Sequence, residues 1–350
     1  MSRKHEQVNE KRKGMKILGI VLIILLIIIL GVGAGSYWYV NDKLGKMQHV
    51  TIDEDQLKID EQVEENLSEY RNIAIFALDS RANEYGQGNR SDGIIVVSIN
   101  NKTKEVKLLS VYRDTYLQIE GHGLDKITHA YAYGGAPLAI STLNSNLDLN
   151  IKEFVAVNFD AVAEGVNALG GIELNIDSEE MKIMNREYID YTSQYTGLKS
   201  NHISKTGMQL VDGVQAVSYC RVRYTEGGDY KRTERMREVI TAMADKLKTK
   251  SVGEINNFLD IVLPKVYTNI SSSSIISMAP SALGYKISGS VGWPYEVRGY
   301  TGAAWYAAPV NLEENVKKLH QEVFNEENYE PTETVKEISN KIIKKTGFSK

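Results

Sequence analysis

Apolar positions are massed at the amino end and afterwards recur in short blocks. From Ile17 to Asn41 there is no charged residue, and Ile20 to Leu30 is nearly pure Ile and Leu. Such a run of 25 residues is long enough, at 1.5 Å rise per residue, to cross a hydrocarbon core of ~30 Å. Gly33-Ala34-Gly35 is a weak cleavage signal, but the run is long and the aromatic trio Tyr37, Trp38 and Tyr39 follows it as an interfacial belt. The pattern predicts an uncleaved anchor. Arg3, Lys4, Lys11, Arg12, Lys13 and Lys16 precede it, which keeps the N-terminus cytoplasmic and sends the rest outward.

Residues 42 to 70 are polar and read as a stalk with helical character. Short apolar runs then predict strands at 72–78, 94–99 and 106–111, with turn chemistry at Asn100-Asn101-Lys102-Thr103 joining the last two as a hairpin. Pro137 after Gly134-Gly135 marks a helix start, running to about Asn146. Strands are expected at 154–159 and 172–176, with a short helix between them capped by Asp160. Residues 181 to 206 are polar, Tyr-rich and read as irregular. Helices are expected at 211–220 and 232–250, the latter with Met236, Ile240, Met243 and Leu247 on one face. Ser271 to Ser274 caps another, and the charged tail from Glu313 is helical. Strands alternating with helices predict an α/β fold, a mixed central sheet sandwiched by helices, behind one N-terminal transmembrane helix.

Composition narrows the class. The chain of 350 residues is 42% hydrophobic and 25% charged, ordinary for a globular protein. Its single cysteine, Cys220, permits no intrachain disulfide and reads as a small buried hydrophobe. An outer domain without disulfides suits a Gram-positive surface. Beyond residue 16 there are 35 basic and 43 acidic side chains, so the outward part is acidic and nucleic-acid binding is disfavoured.

Against that acidic background the arginines are clustered. Of 13 in the chain, eight fall in four segments: Asp79-Ser80-Arg81, Arg90-Ser91-Asp92, Arg113-Asp114, and the stretch from Arg221 and Arg223 to Arg232, Arg235 and Arg237. Arginine is favoured where a planar fork must hold phosphate or carboxylate in fixed geometry. The first three segments lie at the ends of predicted strands, where α/β proteins bind ligands. Carboxylates among arginines also suit Mg²⁺, which takes one or two carboxylates together with substrate phosphate oxygens. Any one segment alone is explained by a surface ion pair; four together point to a phosphorylated substrate. His122 and His129 flank Lys126 without a third zinc ligand, Ser80 has no neighbouring histidine base, and there is no Walker-type phosphate loop.

Taken in order, these segments resemble the LytR–CpsA–Psr family of cell-envelope enzymes. The resemblance rests on Asp79-x-Arg81, Arg90-Ser91-Asp92-Gly93, Arg113-Asp114-Thr115, Ala130-Tyr131-Ala132-Tyr133-Gly134-Gly135, Leu169-Gly170-Gly171-Ile172, Leu210 to Gly213, Arg221-x-Arg223, and Gly228-Asp229 with Arg232 and Arg235. It implies a membrane-tethered transferase that moves a phosphorylated glycopolymer from a polyprenyl-pyrophosphate lipid to peptidoglycan, onto the C6 hydroxyl of N-acetylmuramic acid. It further implies that Asp79 and Asp92 bind Mg²⁺, that Arg90, Arg113, Arg221, Arg223 and Arg232 hold the pyrophosphate, and that Arg81 orders the site or pairs with an aspartate. Asp79, Asp92 and Asp229 are equal candidates for the base. The implied organisation is a basic tail at 1–16, an anchor at 17–41, a stalk at 42–70, a catalytic domain at 71–250, and a helical part of unknown role at 251–350. Two segments depart from the family pattern: Tyr112 stands where proline is usual, and Arg235-Met236-Arg237 where Arg-Gln-Gln is usual. Two other readings stay open, a pyrophosphatase acting on the same lipid and a non-enzymatic regulator that binds polyprenyl phosphates.

Overall fold

A computed structural model describes residues 33–80, 84–223, 225, 228–247, 249–282 and 285–348. In chain order the elements are α1 (Gly33–Leu44), β1 (Gln48–His49), α2 (Glu61–Asn66), β2 (Tyr70–Leu78), β3 (Ser91–Asn100), β4 (Glu105–Val111), β5 (Tyr116–Ile119), β6 (Gly123–Lys126) and α3 (Ile127–Leu147). There follow β7 (Glu153–Asn158), α4 (Phe159–Ala168), β8 (Ile172–Ile176), α5 (Ser178–Ile183), α6 (Ile189–Thr196), β9 (Gly207–Val211), α7 (Gly213–Arg221), α8 (Gly228–Leu247) and α9 (Val252–Val262). The last are β10 (Tyr267–Thr268), α10 (Ser272–Ala282), β11 (Lys286–Trp293), β12 (Val297–Thr301), β13 (Trp305–Pro309), α11 (Leu312–Leu319) and α12 (Glu333–Thr346). The fold is mixed α/β with parallel and antiparallel strand pairs, as the alternation of patterns predicts.

Two compact units emerge. Of the described residues, one unit holds those up to His49 together with those of Val157–Gly289, and the other holds Val50–Ser80, Glu84–Ala156 and those from Ser290 onward. In the latter, β2, β3 and β4 are consecutive antiparallel neighbours. Nine successive residues of β3, Ser91 to Ile99, are buried, which is why its run is apolar on both faces rather than alternating. The β3–β4 hairpin closes on Asn100, whose Oδ1 accepts from the N–H groups of Lys102 and Thr103, each at 2.9 Å. Helix α3 breaks at Gly134 and Gly135, the latter at φ 65°, so Pro137 begins a fresh helical segment that needs no N–H from it.

The other unit pairs β1 with β10 in parallel and β8 with β9 in an antiparallel hairpin. Its core gathers Val166, Ile172, Leu174, Ile176, Met184, Val214, Cys220 and Met236. Burial pushes the Cys220 thiol up to about 12, so it behaves as a small hydrophobe. The end of α1 is fastened to α9 by Lys43 and Lys46, whose Nζ atoms lie 2.5 and 2.6 Å from Asp260 Oδ1.

Several expectations need correction. Residues 181 to 196 are helical rather than irregular, and only 197–206 lack regular structure: α5 begins on a capping box of Asp177 and Glu180, passes through a π turn at Met184–Tyr188, and α6 ends at Gly197 with φ 69°. The short helix α4 is capped by Asn158 rather than Asp160. Residues 42 to 70 are packed rather than a free stalk, because Leu44, Leu57, Val63 and Leu67 are spaced to bury one face each of short polar segments. Residues 251 to 350 hold strands β10 to β13 besides helices. The anchor expected at 17–41 lies mostly outside the described residues, and among those described no helix is long and apolar enough to cross a membrane.

Candidate active site

In the unit built on β2, β3 and β4, the strand ends bring the first three arginine segments together. Asp79 follows β2, and its N–H donates to the carbonyl of Arg90 at 3.0 Å. At that end the register slips: Ala77 faces Gly93 but Leu78 faces Ser91. Asp92 is therefore the extra residue of a β-bulge, a device that re-aims a side chain at a strand end. The Asp92 carboxylate meets Arg113, which follows β4, and Arg113 Nη1 donates to Asp92 Oδ1. Both side chains are largely buried, at 8% and 11% exposure. A buried pair of this kind costs desolvation that its attraction barely offsets, so its presence calls for a further role. Among the described residues Arg113 Nε has no hydrogen-bond partner, and it lies 3.7 Å from Asp114 Oδ1. Lys126 Nζ takes that same Asp114 oxygen at 2.8 Å. Asp79 and Arg90 are exposed.

The start of α3 is fastened to this place. Thr128 donates its N–H to the carbonyl of Arg113 at 3.1 Å and its hydroxyl to the carbonyl of Ser91 at 2.9 Å. Loop 84–90 is held by Gly88 N–H on the carbonyl of Ala132 and by the Tyr131 hydroxyl on the carbonyl of Tyr85, at 2.9 and 2.8 Å. Tyr112, in the usual place of proline, turns its hydroxyl onto Gly292, where any Cβ would lie 1.9 Å from it. Its N–H, which proline lacks, donates to the carbonyl of Trp293 at 3.0 Å. The departure at Tyr112 is thus absorbed by β11.

The other four expected arginines belong to the other unit or lie beyond description. Arg81 is outside the described residues. Arg221 ends α7, with its guanidinium over the rings of Tyr191, Phe159 and Tyr188 at 4.7, 5.5 and 5.7 Å; three rings around one cation hold it in place. Arg223 is exposed, two residues on. Arg232 is buried, at 1% exposure. Arg235 is not a ligand-facing group. Its Nε donates to Glu180 Oε1 at 2.8 Å, Nη1 to the carbonyl of Val222 at 3.1 Å and Nη2 to Thr225 Oγ1 at 2.8 Å. It clamps the loop after Arg221. Met236 is core, so the missing glutamine is replaced by packing.

Among the described residues no three His, Cys, Asp or Glu side chains gather as a metal cage. The donor set at the strand ends, Asp79 and Asp92, fits only an ion that takes its other ligands from phosphate and water, which is the habit of Mg²⁺. One cluster escaped the sequence reading: Asp125, His129 and Tyr133, joined by two hydrogen bonds. Its signal was the i, i+4 spacing of Asp125 and His129 across a helix start.

The family model of LytR_cpsA_psr matches residues 35–321. The chain belongs to the LytR–CpsA–Psr family. The match passes the limits of 70 and 250 expected from motifs alone. The polyisoprenyl-teichoic acid–peptidoglycan teichoic acid transferase TagU of Enterococcus faecalis is 33% identical over 273 residues, 76% of this chain and 83% of that one. TagT of Bacillus subtilis, a transferase of the same name, is 28% identical over 85% of this chain and 92% of its own. Among solved structures, the LytR-CPS2A-psr family protein YwtF (TagT) with bound octaprenyl pyrophosphate lipid aligns at a TM-score of 0.53 and 27% identity. It covers 74% of this chain and 92% of its own. TagT bound to LI-WTA aligns at 0.57, again with 27% identity, over 74% and 91%.

Proposed function

We propose that this chain is a membrane-anchored phosphotransferase. It moves a phosphorylated glycopolymer from a polyprenyl-pyrophosphate carrier to peptidoglycan, onto the C6 hydroxyl of N-acetylmuramic acid, and polyprenyl phosphate leaves. The observation that carries the reading is the buried Asp92–Arg113 pair set by a bulge at the strand ends beside Asp79 and Arg90. The names of the TagU and TagT relatives, and the octaprenyl pyrophosphate on one neighbour, support it.

In this reading Arg90 and Arg113 hold phosphate oxygens, and their fixed donors stabilise the charge that builds on the transferring phosphoryl group. Asp92 keeps the Arg113 fork aimed. Arg221, Arg223 and Arg232 are proposed as further phosphate holders, with Arg81 ordering the segment after Asp79. Asp79 and Asp92 would hold Mg²⁺, which when bound neutralises phosphate charge. The basic tail, the run at 17–41 and the outward domain fit a donor that is itself a membrane lipid, with the N-terminus cytoplasmic.

The test is a purified assay with lipid-linked donor and peptidoglycan. Arg113→Ala and Asp92→Ala are expected to abolish transfer with the circular dichroism of the folded chain retained. Transfer surviving in both would overturn the site. Polymer released free rather than bound to peptidoglycan would make the enzyme a pyrophosphatase instead.

A further inference from the structure

Transfer to a sugar hydroxyl needs a proton acceptor, and the carboxylates of the phosphate site suit that task poorly. Asp92 is committed to Arg113, and a carboxylate that also holds a metal ion is a weak base. A better-formed base lies one residue from the backbone that fixes this pair. Thr128 binds the carbonyls of both Arg113 and Ser91, and His129 follows it on α3. Asp125 Oδ2 accepts from His129 Nδ1 at 2.9 Å and from the Tyr133 hydroxyl at 2.8 Å. This places the ring proton on Nδ1 and leaves Nε2 as a lone pair, with no hydrogen-bond partner among the described residues. The His122 ring stacks on Tyr133 at 4.1 Å and 8°, which fixes Tyr133 and through it Asp125.

We propose that His129 is the general base for the acceptor hydroxyl, and that Asp125 and Tyr133 are its positioning residues. The inference rests on the transferase reading. In the step, the acceptor O–H bond breaks and its proton passes to His129 Nε2. The oxygen forms a new bond to the transferred phosphorus, and the P–O bond to polyprenyl phosphate breaks with its electrons leaving on that phosphate. The imidazolium so formed is balanced by Asp125, whose burial raises its carboxyl but is outweighed by hydrogen bonds from His129, Tyr133 and the Lys126 N–H, which hold it below the usual range. Asp125 of β6 and Tyr133 of α3 face the ring, His122 of the β5–β6 turn stacks on Tyr133, and Tyr116 of β5 acts electrostatically on Asp125. Arg90 of the loop before β3 acts electrostatically on Tyr133, and Tyr306 of β13 on Asp125. Lys126 is itself paired with Asp114. The exposed ring of Tyr133, at 39%, puts the cluster within reach of a macromolecular acceptor.

The experiment uses the full chain in detergent with lipid-linked donor and peptidoglycan, following kcat against pH and donor-lipid binding separately. The wild-type rate is expected to rise as an imidazole loses its proton. His129→Asn keeps an amide donor for Asp125 but has no base, and should lose about 10²–10⁴-fold in kcat, with donor binding within about twofold and the limb flattened. His129→Ala should recover activity with added imidazole, and Asp125→Asn should lower kcat and move the limb to lower pH. An unchanged limb in His129→Asn, or equal loss of donor binding and turnover in both His129 variants without imidazole rescue, would overturn the assignment. Absence of transfer by the wild-type chain would instead sink the transferase reading.

Discussion

Arg235 belongs to the fourth arginine segment, yet its guanidinium is bound within the fold. Its side chain is 3% exposed and that of its partner Glu180 is 9% exposed. Glu180 already serves α5, accepting from Asp177 N–H at 3.0 Å through its other oxygen. Replacing Arg235 by Met preserves bulk but strands a buried carboxylate and frees the carbonyl of Val222 and the hydroxyl of Thr225. Breaking a buried pair by removing one partner costs about 3–5 kcal/mol. The fork bonds are part of that figure rather than an addition to it, since the same desolvation is counted once. In Arg235→Met with Glu180→Gln the stranded charge is gone, and the loss should shrink by about 1–3 kcal/mol relative to the sum of the singles. Equilibrium urea unfolding of the full chain in detergent, followed by circular dichroism, measures all three variants. If Arg235→Met stays within 1 kcal/mol of wild type, while donor binding collapses, Arg235 is a ligand group and the clamp argument is wrong.

Gly292→Ala should cost about 1–3 kcal/mol, because the new methyl meets the Tyr112 hydroxyl; in a Tyr112→Ala background the same change should be nearly neutral. Glu254 is held down to about 2 by Lys250 and by the Ser251 N–H and hydroxyl. A depressed carboxyl contributes stability that is full above its unfolded value, ordinarily near 4.3, and is lost as pH falls toward about 2. The unfolding midpoints of wild type and Glu254→Gln should therefore differ at pH 7 and converge as pH is lowered toward 3. Chelation of divalent ions should stop transfer and Mg²⁺ restore it; full transfer in excess chelator would remove Asp79 and Asp92 from any metal role.

How much of this was legible follows from the range of each signal. The strands at 72–78, 94–99 and 106–111 and their hairpin were readable because they are local: β-branched runs bounded by an Asn-rich turn. The arginine segments were readable because strand ends are written next to the strands. The helices between 178 and 196 were missed although Asp177 and Glu180 spell a capping box, because tyrosines and polar residues obscured the periodicity and a π turn breaks it. The Asp92–Arg113 contact could be guessed only as neighbourhood, since a bulge, not a motif, decides where Asp92 points.

The two departures from the family pattern show the same limit from the other side. Each looks, along the chain, like damage to a phosphate site. In space each is a repair made by a distant residue. Tyr112 needs a glycine 180 positions on, and Gly292 supplies it. Met236 needs an apolar pocket, and the strands β8 and β9 with Val214 and Cys220 supply that. A substitution inside a motif therefore carries functional weight only after its new neighbours are known. By that standard Tyr112 and Met236 are explained by their packing. Donor and acceptor choice is proposed to lie with Arg90, which is exposed, and with His129, which Asp125 orients.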